Sequence, residues 1–192
     1  MAMQAVAEQV QLETDRLITG EELLEMGDIG PCELVEGKIV PMSPTKIQHG
    51  RFEYKLARLL GDFAAEHDLG EVMVGEVGIY VQRDPDTIRA ADILFISHER
   101  LAQAKPDSFL DVPPELVVEI MSPSDRWSEV RRKLREYFAA GVNVVLIVEP
   151  DERTLSIYRA PTELQELTET AVLTLDDILP GFRCPVAELF GN

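Results

Sequence analysis

Three polar side chains stand where an α/β chain normally keeps apolar ones. Asp92 falls in the run Ala90–Ser97, sharing a predicted strand face with Ala90, Leu94 and Ile96. Glu119 interrupts the β-branched run Leu116–Met121, on a face with Val117 and Met121. Lys133 borders the apolar stripe Val130, Leu134, Tyr137 and Phe138 of a predicted helix. A carboxylate in mid-strand and a lysine beside a buried stripe both cost free energy unless they are paired or used. Two carboxylates converging from strands offer the oxygen ligands that Mg²⁺ prefers. Such an ion can clamp a phosphate oxygen and lower the pKa of a bound water. A nearby lysine can position that water or offset charge building on phosphorus. That is the chemistry of phosphodiester hydrolysis. The competing reading is structural: Asp92 and Glu119 simply pair with arginines.

The elements that must position these groups follow from pattern. Leu116–Met121 reads as a buried strand, and Ser122-Pro123-Ser124-Asp125 as the turn that ends it, offering caps for a helix starting near Asp125. Ser122 reads as a turn and cap residue rather than a nucleophile, since no histidine follows at a triad-like position. Gly141 stops the helix, and the wholly apolar Val144–Val148 is a second strand covered on both faces. A helix between two buried strands is a crossover, so the sheet is mixed and contains a parallel pair.

Upstream, Thr19-Gly20-Glu21-Glu22 is a capping box opening a short helix through about Met26, and Glu33–Val40 forms a hairpin around Gly37. Thr45-Lys46-Ile47-Gln48 predicts a helix over 45–66. Its stripe is Phe52, Leu56, Leu59, Leu60 and Phe63, with His49 on the same face and Glu53 one turn on. Strands are predicted over 71–82 and 90–97, separated by Arg83–Asp86, then a loop over 98–112. After the central stretch, Thr154–Tyr158 partners Val144–Val148, residues 160–170 are polar and acidic, and Leu173–Phe190 forms an apolar tail. Residues 1–18 form a weakly patterned lead-in, and 19–192 a single domain. His67 and His98 read as surface positions.

Composition narrows the classes. At 192 residues, 45% hydrophobic and 28% charged, the chain is an ordinary globular protein with room for a full core. It has no apolar run of membrane-spanning length and no leader with the pattern of a signal peptide. Cys32 and Cys184 stand far apart, which argues against a disulfide scaffold or a structural zinc. A cytoplasmic location is the expectation. The net charge of −17 removes any general attraction for polyanions, so an anionic substrate must be met by a local basic patch or by bound cations. The densest positive cluster is Arg126, Arg131, Arg132, Lys133 and Arg135.

These residues also carry a resemblance. Glu33-Leu34-Val35-Glu36-Gly37, Ser43-Pro44 followed by His49, Ala91-Asp92, Pro114-Glu115-Leu116-Val117-Val118-Glu119-Ile120-Met121-Ser122-Pro123, Lys133 with Tyr137 and Gly141-Val142, and Leu179-Pro180-Gly181 occur in an order and spacing similar to the Uma-type restriction-endonuclease family, a branch of the PD-(D/E)XK nucleases. The resemblance runs from about Thr19 to Phe190. It implies an α/β restriction-endonuclease-like core, a mixed β-sheet flanked by helices, with Mg²⁺- or Mn²⁺-dependent DNA cleavage. It implies Asp92 and Glu119 as the metal-binding acids and Lys133 as the catalytic lysine, moved from strand to helix. Glu36 would be a further acid, and His49 would orient water, phosphate or another ligand. Two positions depart from the family pattern: Ala91 replaces the proline before the first acid, and Met121 occupies the third position of the E-x-K triplet. The other readings kept open are a catalytically silent binding or assembly module on the same fold and a hydrolase of smaller phosphate esters. Proteins that cut two strands symmetrically are commonly homodimers, so a homodimer is a further expectation.

Overall fold

The computed structural model describes residues 16–123 and 125–191; most of the predicted lead-in (residues 1–15), and Ser124 of the predicted turn, lie outside the described residues. The chain runs α1 (Gly20–Glu25), β1 (Cys32–Val35), β2 (Lys38–Pro41), α2 (Ile47–Glu66), β3 (Gly70–Gln82), β4 (Thr87–Ser97), α3 (His98–Leu101) and β5 (Leu116–Ile120). It continues with α4 (Trp127–Ala140), β6 (Val144–Glu149), β7 (Thr154–Ala160), β8 (Glu163–Leu167), β9 (Val172–Thr174), β10 (Arg183–Pro185) and α5 (Val186–Phe190).

Local chemistry explains most boundaries. Thr19 accepts from the Glu22 N–H while the Glu22 side chain returns to the Thr19 N–H, so the first capping box forms. Glu36 and Gly37 both take positive φ, the requirement of a two-residue hairpin turn matched to strand twist. Gly141, at φ 105°, closes α4 in the left-handed conformation. Other expectations shift. The Thr45 capping box does not form: α2 starts at Ile47 behind Lys46, which makes no side-chain cap. Likewise α4 starts at Trp127 behind Arg126, because the Asp125 carboxylate turns back to accept from the Ser122 N–H at 2.8 Å. Residues 163–167, read as polar and acidic, form β8 on the sheet edge, where a strand needs no apolar face.

One eight-stranded mixed sheet carries the structure, in the order β2-β1-β4-β5-β6-β7-β8, with β3 on the other edge of β4. The predicted crossover is present: β5 and β6 pair in parallel, Leu116 opposite Val144 through Ile120 opposite Val148, joined by α4. Helix α2 and the C-terminal tail cover one face, burying Leu56, Leu60, Phe95, Val118, Leu146 and Phe182. Helix α4 covers the other, where Val130, Leu134 and Tyr137 pack on Leu94, Val117 and Ile147. At about 25 cal/mol per Å² of apolar surface, fully burying each large aliphatic chain contributes roughly 1.5–3 kcal/mol, so the two clusters dominate the driving force. No described helix is long and apolar enough to cross a membrane.

The sheet opens at one place. Strand β3 takes one edge of β4 along its length, so β1, at Leu34–Ile88, and β5, at Ile93–Val118, share the other edge in tandem. Between Ile88 and Ile93 that edge passes from one strand to the next, and side chains replace the missing ladder bonds. Glu33 accepts from the Ala90 N–H at 3.2 Å, and Asp92 accepts from the Ile120 N–H at 2.7 Å.

The β3–β4 ribbon is tight at its start. A Cβ on Gly70 would lie 2.2 Å from the Ile96 carbonyl oxygen. Gly70→Ala is therefore expected to destabilise by about 1–3 kcal/mol through overpacking, read as a lowered urea midpoint with an unchanged m-value.

Candidate active site

Alternation along β4 fails at Asp92. Ala91 packs with the α4 side and Ile93 with the α2 side, although two residues apart should share a face. The strict reading that groups Asp92 with Leu94 and Ile96 is thus corrected. The slip coincides with the handover from β1 to β5, and it turns the Asp92 carboxylate toward α2. There its Oδ1 meets His49 Nε2 at 3.1 Å, while Oδ2 is held by the β5 main chain. The β4–β5 register, Ile93 opposite Val118, next brings Asp92 opposite Glu119.

Glu119 points from β5 to the α4 side. Lys133 Nζ donates to its two oxygens at 3.0 and 3.3 Å, and the Tyr137 hydroxyl donates to Oε1 at 2.5 Å. Lys133 also contacts Glu33 Oε1 at 3.0 Å. Glu33, at 6% exposure, accepts from Arg89 at 2.6 Å; Arg89 in turn reaches Glu136 at 2.6 Å. Arg132 bridges Glu136, at 2.8 Å, and Glu36, at 2.9 Å. An alternating chain of acids and bases therefore runs from the Glu119 carboxylate to the surface.

The electrostatics follow from burial and pairing. Burial pushes the Lys133 ammonium down, but Glu119 and Glu33 outweigh it and hold the group well above the ordinary lysine value. Burial raises the Glu119 carboxyl; Lys133 opposes this, the Asp92 charge reinforces it, and the net shift is upward. The Asp92 hydrogen bond raises His49 against the opposing effect of burial. Glu53, one helical turn beyond His49, is raised by burial and by Asp92.

The structure thus brings Asp92, Glu119, Lys133 and His49 to one end of the sheet. Glu36 sits apart on the β1–β2 turn, its side chain 63% exposed, and touches the group only through Arg132. Sequence reasoning missed Glu33, Arg89, Glu136 and Tyr137 as members of the site. Glu33 and Arg89 are charged residues inside strands, the same signal that exposed Asp92 and Glu119. Tyr137 was legible as an apolar-stripe residue and as a companion of Lys133 in the family pattern, with no role of its own. A cleft of about 350 Å³ opens beside Glu119 and Lys133, bordered by Met121, Asp125, Arg126 and Glu129.

The donor set suits a hard divalent cation. Asp92 and Glu119 are opposed carboxylates whose mutual repulsion a cation relieves, and both Asp92 oxygens and Glu119 Oε2 each make a single bond, which leaves a lone pair on each. His49 Nδ1 is buried without a hydrogen-bond partner among the described residues, a polar atom awaiting a ligand. No three His, Cys, Asp or Glu side chains among the described residues form a ready metal cluster, so water would complete the shell.

Comparison with known proteins agrees with this architecture. The chain aligns with the crystal structure of a protein from Anabaena variabilis described as a "putative nuclease belonging to DUF820", with a TM-score of 0.76 and 18% identity over 90% of this chain and 97% of that one. The fold is the expected α/β restriction-endonuclease-like core. Residues 21–187 match the Uma2 family, described as "Putative restriction endonuclease", and the chain belongs to that family. No curated protein matches it.

Proposed function

We propose that this protein is a Mg²⁺-dependent endonuclease that hydrolyses DNA phosphodiester bonds, with Mn²⁺ as an alternative ion. The observation that carries the reading is the pairing of opposed acids, Asp92 and Glu119, with a lysine held on Glu119 at 3.0 Å. The family description and the nuclease description of the Anabaena protein support it. Asp92 and Glu119 hold the ion, which when bound supplies Lewis acidity toward phosphate and an acidified water. Lys133, kept cationic by its two carboxylates, orients the attacking water and offsets charge on the phosphate oxygens. His49 steadies Asp92 through Nε2 and offers Nδ1 to water or phosphate. Glu36 acts through Arg132, steadying the acid–base chain behind Lys133. Met121, where the family triplet carries lysine, leaves that duty to α4.

The test is plasmid nicking by the purified protein with Mg²⁺, Mn²⁺ or EDTA. Cation-dependent nicking that EDTA stops is the expected result. A chain that neither nicks nor binds the ion in a calorimetric titration is instead the binding module, a reading favoured by the lack of a ready three-ligand cluster among the described residues.

A further inference from the structure

A chain with 35 acidic and 18 basic side chains can give every cation a carboxylate, and over most of the surface this one does. Arg58, Arg83, Arg153, Arg159 and Arg183 are all ion-paired, as is Lys105 in the loop after α3. Among the described residues, the cations without a carboxylate partner fall almost entirely in two rows. Lys46, Arg51 and Lys55 lie at the start of α2; Arg126, Arg131 and Arg135 lie on α4 and the residue before it. Lys38 on β2 is the exception. Lys55 donates to the main-chain oxygens of Leu189 and Gly191.

The two helices that carry the rows start at the same end of the sheet. His49 on α2 reaches Asp92, Asp92 holds the last residue of β5, and Asp125, just before α4, is close enough to His49 to act on it electrostatically. Both helices begin without a side-chain cap, which leaves their first N–H groups and positive dipole ends without a side-chain acceptor. Each row borders a cleft: Arg126 that of Glu119 and Lys133, and Gln48, Arg51 and Lys55 a second of about 560 Å³ closed by Pro150, Asp151 and Arg153. So acidic a protein keeps cations unpaired where an external anion completes them.

We infer that the two rows form a track for the sugar–phosphate backbone of a nucleic acid, which crosses the end of β5 with Lys46 and Arg51 on one side of the scissile position and Arg126, Arg131 and Arg135 on the other. This rests on the nuclease reading and adds where the substrate lies. The exposed indole of Trp127, one turn before Arg131, gives the α4 row a stacking surface for a base.

The test is fluorescence anisotropy of a short labelled DNA in EDTA, across a salt series, so that binding is read without turnover. Lys46→Ala/Arg51→Ala and Arg131→Ala/Arg135→Ala are each expected to weaken binding several-fold and to reduce the slope of log K against log[salt] by about 1–2, the value for one or two lost phosphate contacts. Lys105→Ala, which removes a positive charge elsewhere, should leave both quantities unchanged. Equal losses in all three variants would reduce the effect to bulk charge and overturn the track. Full plasmid nicking and unchanged DNA binding by both double variants would overturn the track while the nuclease reading stands. A wild-type protein that neither binds nor nicks would remove both. Circular dichroism confirms that each variant is folded.

Discussion

Asp92→Asn and Glu119→Gln are each expected to lower plasmid nicking by about 10²–10³-fold or more, the scale of losing one group that stabilises developing charge. The amides are chosen because they keep the scaffold. The first retains an oxygen for the Ile120 N–H and the second retains one for the Tyr137 hydroxyl, so the sheet opening and the α4 packing survive. What is lost is charge at the proposed ion site. Two measurements separate this from a folding defect: a calorimetric titration with Mg²⁺ or Mn²⁺, expected to show weakened binding, and a thermal scan, expected to show little change. Full activity in either variant would remove that carboxylate from the metal role.

Glu33→Ala is expected to be the most destabilising single change near the site, at about 3–5 kcal/mol, the cost of leaving buried charges without their partner. Arg89 would keep only Glu136, Lys133 only Glu119, and the Ala90 N–H would lose its acceptor. A chemical denaturation series measures it. A cost under about 1 kcal/mol would show that the network relaxes around the gap. The pH dependence has a definite sign. Burial raises the Glu33 carboxyl, but Lys133 and Arg89 outweigh it and hold it below the ordinary carboxylate value. Its contribution is therefore complete above that value and is lost as the pH falls through the folded pKa. Glu33→Gln should flatten that acid flank of the stability curve.

How much of this could be read from the chain varies with the kind of signal. The crossover β5–α4–β6 was legible because both strands are apolar on two faces and Gly141 marks the helix end. Asp92, Glu119 and Lys133 were legible because a charge inside an apolar period is conspicuous. Glu33 carries the same signal, but strand β1 is too short for one acid to break a period, and the family resemblance points to Glu36 instead. The facing of Asp92 was not legible, because alternation assumes a continuous ladder and β4 changes partners at that residue. Strand β8 escaped for the opposite reason: an edge strand with mostly exposed side chains shows no hydrophobic period at all. The Asp125 cap failed because a competing donor, the Ser122 N–H, took its carboxylate.

The acid–base chain behind Glu119 also bears on timing during synthesis. Its members come from β1, β4, β5 and α4, spread from Glu33 to Tyr137. A chain emerging from the ribosome holds Asp92 and Glu119 well before Lys133 and Tyr137 are free to dock, and Glu33 waits longest of all. No shorter nascent fragment can assemble the centre. The proposed hydrolytic competence thus arrives only with the crossover helix seated.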